Sequence, residues 1–268
     1  MADIEQKRAR FRALHDQGCF VLPNPWDVGS ARIFQNLGFE ALASTSSGFA
    51  WTIGRPDYGP SRDETLAHLS ALCAAVDLPV NADYQSGFAT EPEHVAANVA
   101  LAIDAGVAGV SIEDSRLERP GLYDLPFAVE RIRAALAVTR RHGAVLVART
   151  EILLHRPEQV TAAIDRLVAF ADAGADCLYA PGVAAKADIA AMVRAVAPRP
   201  VNVLMSGPGL ELAELAALGV RRVSVGGALA RVAWQSALAA AGQIRAGSFA
   251  GLAGAAPGRL LNEAFSGF

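Results

Sequence analysis

Hydrophobic positions along this chain fall into a repeating phrase. A stretch with helical period is followed by a glycine, then by an apolar run too short for a helix that ends in polar or turn residues. The clearest copies are LGFEALASTSSG (37–48), AGVAGVSIEDS (105–115), AGADCLYAPG (173–182) and LGVRRVSVGG (218–227). In each copy the glycine (Gly38, Gly106, Gly174, Gly219) falls where a helix C-terminus calls for a left-handed residue. The runs that follow are rich in Val, Ile and Leu, as strands buried on both faces of a parallel sheet are. The same rhythm places further strands at 20–23, 78–83, 144–150 and 201–204, which makes eight. Helices are predicted between them, among others at 91–105, 126–142, 158–173 and 184–196, with Pro92, Pro126 and Pro157 at or near three of the starts.

Eight strand–helix units predict an α/β fold, a (β/α)8 TIM barrel, because right-handed crossovers close such a sheet on itself. An open doubly wound sheet would carry a glycine-rich phosphate turn after the first strand, and LPNPWDVGSA has none. No composition break marks a second domain, so residues 1–268 are expected to form a single barrel domain. Residues 247–268 are read as a helical C-terminal extension whose short apolar stretches pack onto a neighbour.

Composition narrows the class. The chain has 268 residues, 52% of them hydrophobic, and a net charge of −3; all but two of its 24 basic residues are arginines. This near-neutral balance offers no basic stripe for nucleic acid and no polybasic membrane segment. No apolar run reaches the roughly 18–20 residues of a membrane span. The charged start MADIEQKRARF lacks a signal-peptide core, so a cytoplasmic protein is expected. Cys19, Cys73 and Cys177 form neither a disulfide framework nor a zinc motif.

In such a barrel the reactive groups come from the C-terminal ends of the strands. The second strand ends in Thr45, Ser46 and Ser47, with Asp57 in the loop beyond; the third ends in Asn81 and Asp83, the fourth in Glu113 and Asp114, the fifth in Arg149 and Glu151. Asn81 and Asp83, two apart, share one face of their strand. Asp57, Asp83 and Glu113 would repel one another in a half-desolvated mouth unless a cation sits between them. Oxygen ligands without His or Cys point to a hard ion, Mg2+ or Mn2+, with Asp57, Asp83 and Glu113 as its candidate ligands. Arg149 offers a planar fork to a substrate carboxylate, and the Thr45–Ser46–Ser47 turn offers N–H and hydroxyl groups to an anionic oxygen. Arg149, Glu113 and Ser46 are the expected catalytic residues. Asp27, Asp63 and Glu64 read instead as helix-start acids, Cys177 as a packed thiol, and the five histidines as scattered.

These strings resemble the isocitrate lyase/phosphoenolpyruvate mutase superfamily over nearly the whole length. The matching segments, in order, are LPNPWDVGSAR (22–32), ALASTSSG (41–48), GRPD (54–57), PVNADYQSGF (79–88), GVAGVSIEDS (106–115), VARTE (147–151), GADCLYAPG (174–182) and GVRRVSVGG (219–227). The resemblance implies a (β/α)8 barrel, a Mg2+-held 2-oxo acid, and a C-terminal helix exchanged between subunits in a dimer of dimers. It implies that Thr45, Ser46 and Ser47 hold the substrate's anionic groups. Asp57, Asp83 and Glu113 would hold Mg2+ largely through its waters, and Arg149 would bind the substrate. Asn81 stands where many members carry the metal's direct aspartate, and Gln85 where many carry glutamate. The segment SRLERPGLYDLPF (115–127) lacks the cysteine that serves as the acid in isocitrate and methylisocitrate lyases, and also the lysine and asparagine of the mutases' gating loop. The expected function is therefore a Mg2+-dependent lyase that cleaves a C–C bond of a small, oxaloacetate-like 2-oxo dicarboxylate, by decarboxylation or retro-aldol cleavage through an enolate held at the metal. The alternatives are a phosphonopyruvate-type P–C mutase or hydrolase and a non-catalytic 2-oxo acid binder. The expected partners are a small carboxylate substrate and further copies of the chain, as a homo-oligomer (dimer or tetramer), with no nucleic acid and no membrane.

Overall fold

The computed structural model describes residues 3–117 and 120–266. Residues 118–119 of the 115–127 loop, the first two residues of the charged N-terminal segment and the last two of the extension lie outside the described residues. The strands are β1 Phe20–Leu22, β2 Leu42–Ala43, β3 Val80–Asp83, β4 Gly109–Glu113, β5 Val145–Arg149, β6 Cys177–Tyr179, β7 Val201–Leu204 and β8 Arg222–Ser224. All pairs are parallel, and each strand lies beside its neighbour in sequence, with β1 returning to β8. Between β1 and β2 the Ala43 N–H donates to the Pro23 carbonyl at 3.2 Å, so the sheet curls into a nearly closed barrel. This is the expected α/β barrel.

The predicted helices appear as Pro92–Asp104, Leu125–Arg141, Val160–Ala173 and Lys186–Val196. Pro92 and Pro126 occupy first-turn positions, where a missing N–H costs little. The left-handed glycine is best seen at Gly174, with φ of 102°: a Cβ there would also meet Arg140 Nη2 at 2.5 Å. Asp27 caps the helix Val28–Asn36 by accepting the Ser30 N–H at 2.7 Å, as its position before that helix predicts.

The core is layered. Outside the barrel, Val110, Ile112, Leu146 and Leu178 pack against the helix faces of Val99, Ile132, Leu167 and Ile189. Inside it, Phe11 from the helix Ile4–Ala13 plugs the N-terminal end among Phe20, Leu22, Val145 and Val147. That helix is fastened by two buried cations set on carbonyls at or near the C-terminal ends of other helices. Lys7 Nζ donates to the Val76 carbonyl at 2.6 Å, and Arg8 donates to those of Ile103 and Val107 at 3.0 and 3.1 Å. The plug seals the bottom, which leaves the C-terminal ends of the strands as the open face.

Beyond β8 the helix Ala228–Arg245 leaves Val232 and Leu238 more than 60% exposed. The last helix, Gly258–Phe265, lies on the chain's own helix Val28–Asn36, where Asn36 donates to the Ala264 carbonyl at 2.7 Å. Among the described residues no helix is long and apolar enough to cross a membrane.

Candidate active site

Parallel register aligns the polar strand ends. Glu113 on β4 sits opposite Arg149 on β5, and Arg149 sits opposite Tyr179 on β6. Arg149 Nη1 lies 3.3 Å from Asp83 Oδ1 and Nη2 lies 3.5 Å from Glu113 Oε2, while Nε bonds Glu151 Oε1; the guanidinium also stacks 5.1 Å from the centre of the Tyr179 ring. Burial alone would depress its pKa, but Glu151, Glu113, Tyr179 and Asp83 together hold it well above the ordinary value. One cation thus serves three carboxylates.

A fourth carboxylate arrives from the loop after β2. Asp57 is held by the Tyr58 N–H at 2.9 Å and by the Ser46 hydroxyl, and its pKa is raised by burial and by the nearby Asp83. Tyr58 closes the ring of contacts, its hydroxyl donating to Glu113 Oε1 at 2.9 Å. Glu113 is 2% exposed. Burial, reinforced by Glu151 and Asp83 and opposed by Arg149, pushes its pKa up to about 8. Folded protein without metal therefore holds the Glu113 proton more tightly than unfolded chain. Stability is expected to fall as pH rises from the ordinary glutamate value of 4.5 towards about 8, and then to level off. Glu113→Gln should remove that fall. Urea melts in the presence of a chelator measure it, and parallel pH profiles in the two proteins would show that the charge is not buried as described.

The serine-rich turn is built differently from the expected anion cradle. Thr45 is the N-cap of the helix Ser46–Thr52, its Oγ1 accepting the Gly48 N–H at 3.3 Å and lying 3.2 Å from Ser47 Oγ. The Ser46 N–H donates to Asp83 Oδ2 at 2.9 Å. The turn therefore holds Asp83 and, through the Ser46 hydroxyl, Asp57. Among the described residues these contacts link Ser46 directly to two of the candidate metal ligands.

Asn81 is turned elsewhere. Its amide NH2 donates to Ser111 Oγ at 2.9 Å and to the Ala82 carbonyl at 3.0 Å, and its oxygen accepts from Arg222 Nη1 at 3.4 Å. Arg222, fully buried, also bonds Asn202 at 3.0 Å, which in turn donates to Ser224 at 2.9 Å. Gly109 is required beside this network, since a Cβ there would meet Asn81 Oδ1 and Phe11 at 2.7 Å. A metal ion at the Asn81 oxygen would face the Arg222 guanidinium, a repulsion that the spacing of Asn81 and Asp83 on one strand face does not reveal. Both residues line a cavity of about 40 Å³ with Arg149, Tyr179 and Arg222.

Asp114 points away from this group: it accepts the Glu151 N–H at 2.9 Å and pairs with Arg166 at 2.8 Å, and so positions Glu151. Cys177 is packed, its thiol pushed up to about 11 by burial. Sequence reasoning placed Glu151 at the barrel mouth without assigning it a role, and did not foresee the Tyr58 hydroxyl on Glu113 or the Tyr179 ring on Arg149. The signal for Glu151 and Tyr179 was their place at or beside strand ends next to Arg149; Tyr58 comes from a loop and carried none.

Among the described residues no three His, Cys, Asp or Glu side chains converge tightly enough to ligate one ion directly. The all-oxygen set of Asp57, Asp83 and Glu113, two of them with raised pKa values, suits a hard cation reached through water. Arg149 beside it suits a planar anion.

The sequence profile of the phosphoenolpyruvate phosphomutase family matches residues 11–245. The chain is 38% identical over 220 residues to an uncharacterised protein of Mycobacterium tuberculosis, covering 81% of each. It is 30% identical over 228 residues to the oxaloacetate decarboxylase of Paraburkholderia xenovorans, covering 81% of this chain and 74% of that one. A crystal structure from Burkholderia cenocepacia J2315, assigned only broadly as a lyase/mutase, superposes with a TM-score of 0.94 at 47% identity over 98% of both chains. The chain belongs to the phosphoenolpyruvate phosphomutase family, within the superfamily of lyases and mutases that its strand-end motifs resemble.

Proposed function

We propose that this protein is a Mg2+- or Mn2+-dependent carbon–carbon lyase that decarboxylates, or cleaves by retro-aldol chemistry, a small 2-oxo dicarboxylate such as an oxaloacetate-like acid. The observation that carries the reading is the group of four carboxylates, Asp57, Asp83, Glu113 and Glu151, around the single guanidinium of Arg149 at the barrel mouth. That excess of negative charge favours a second cation, and the pair of cations favours an anionic substrate. The relative named oxaloacetate decarboxylase supports the substrate class.

Asp57, Asp83 and Glu113 would hold the metal, largely through water. Bound there, it supplies Lewis-acid polarisation of the substrate's 2-oxo group. The chain's own residues do the rest. Arg149 grips a substrate carboxylate with its planar fork, and Ser46, its N–H on Asp83 and its hydroxyl on Asp57, positions two of the carboxylates that would hold the metal. The Tyr58 hydroxyl donates to Glu113 Oε1 at 2.9 Å, and burial keeps the phenol protonated well above neutral pH. This pair is suited to deliver a proton as the product carbon gains charge. The loop after β4 supplies no cysteine, lysine or histidine, which disfavours an isocitrate-type substrate whose cleavage uses a cysteine acid.

The test is pyruvate formation from oxaloacetate and related 2-oxo acids, with Mg2+ and after chelation. Turnover that vanishes with chelator and returns with metal is expected. Absence of metal-dependent turnover across the panel would overturn the reading, and phosphate release from phosphonopyruvate would replace it with P–C chemistry. The same proposal includes assembly as a homo-oligomer, dimer or tetramer. It is supported by the exposed apolar side chains of Val232 and Leu238 on the helix Ala228–Arg245 and of Phe249 beyond it, and sedimentation measures it.

A further inference from the structure

A second arginine stands in the barrel interior. Arg222 opens β8 close to the plug, 5.8 Å from the centre of the Phe11 ring, and lines the cavity of about 40 Å³ together with Arg149 and Asp83. It is 2% exposed, yet among the described residues its guanidinium meets only neutral amide oxygens, of Asn202 at 3.0 Å and of Asn81 at 3.4 Å. Asp83, the carboxylate on the cavity wall, is already engaged by Arg149 at 3.3 Å and by the Ser46 N–H at 2.9 Å. A buried charge without a counter-charge is costly, and burial accordingly lowers the pKa of Arg222. The rest of the wall is short of free acceptors. The Asn81 oxygen is taken by Arg222, and the Asn24 oxygen by the N–H groups of Val225 and Gly226 at 2.9 and 2.8 Å. Ser44 and Ser111 accept N–H donors from Asp83 at 2.8 Å and Asn81 at 2.9 Å, and among the described residues neither hydroxyl donates in return. A space edged by a guanidinium with no counter-charge and by two hydroxyl protons calls for an anion.

We propose that Arg222 is a substrate-binding residue and that this cavity seats one carboxylate of the substrate, so that Arg149 and Arg222 hold the two ends of a dicarboxylate. The inference rests on the proposed 2-oxo dicarboxylate chemistry and deepens it, by assigning the second carboxylate to the floor of the barrel mouth. Its size fits: about 40 Å³ is about three times the space that one water requires, enough for a carboxylate and too little for a bulkier group. The charge fits as well. Arg149 is shared among three carboxylates, whereas the charge of Arg222 is shared with none at ion-pair distance among the described residues. A guanidinium of this kind gains most from a charge-assisted bond to a carboxylate.

Calorimetry with Mg2+ present tests this on the whole chain. The probes are two pairs that differ by one charge at nearly constant shape: oxalate against oxamate, and malonate against its monoamide. Wild-type protein is expected to bind at least one diacid more tightly than its amide partner, and Arg222→Met to lower that preference about tenfold. Arg222→Lys, which keeps the charge without the fork, is expected to restore part of it. A substitution that only loosened the barrel would weaken both members of a pair alike, so a preference that survives Arg222→Met overturns the site. Crystals of the wild-type protein with Mg2+ and malonate decide the matter even if Arg222→Met fails to fold. A carboxylate oxygen at hydrogen-bond distance from the Arg222 guanidinium is expected, and malonate bound with both carboxylates away from Arg222 overturns the proposal. In that case the floor site alone fails. If wild-type protein binds none of the four probes, the underlying reading fails with it.

Discussion

Arg149→Ala is expected to lower kcat/KM by about a hundred- to a thousandfold while the barrel still folds. Removing a preorganised donor to the reacting substrate costs roughly 3–4 kcal/mol of transition-state stabilisation, and each 1.36 kcal/mol is a decade in rate. The substitution acts twice. It takes away the fork that would hold the substrate carboxylate, and it leaves Asp83, Glu113 and Glu151 without the cation that now touches all three. Glu113, whose proton Arg149 now disfavours, should then bind it more tightly, so residual activity should shift to higher pH. Arg149→Lys keeps the charge but not the planar fork and should recover only part of the loss. Steady-state kinetics with oxaloacetate as a function of pH check both parts. Wild-type kinetics in Arg149→Ala would show that the substrate binds elsewhere.

Arg131→Leu is expected to destabilise the fold by about 3–5 kcal/mol, because three loop carbonyls lose their donors at once and each buried orphan costs roughly 1–3 kcal/mol. In a chain of this size that corresponds to a fall in Tm of about 10 °C. Arg131 also lies 4.3 Å from the centre of the Tyr123 ring, so its stem and charge are packed as well as bonded. Arg131→Lys, with one ammonium in place of a fork, should fall between the two. Calorimetric melts decide it: a loss below about 1 kcal/mol would mean that the carbonyls of Ser86, Ala89 and Thr90 find other donors.

Much of this architecture is legible along the chain. A glycine after each helical stretch and a short β-branched run after each glycine specify alternating helices and parallel strands through local backbone preference alone, and Gly38, Gly106, Gly174 and Gly219 all take the left-handed conformation expected of them. Strand-end position likewise brings Asp83, Glu113 and Arg149 together, because parallel register in a barrel delivers strand ends to one face. Asp27 is legible for the same local reason, since a cap acts within three residues.

The partners of the long side chains are not legible. Asn81 and Arg222 are 141 positions apart, Arg131 and Ser86 are 45, and Tyr58 and Glu113 are 55. Periodicity says which face a residue occupies, not which of several neighbours its fork or amide will meet. Asn81 reads equally well as a ligand at the mouth or as a member of an interior network until Arg222 is seen beside it. What the order of residues determined by itself is the barrel, its open end and the acidic character of that end. Tertiary structure alone decided which carbonyls Arg131 pins and which oxygen faces Arg222, because those outcomes depend on distances across the fold that no local preference encodes.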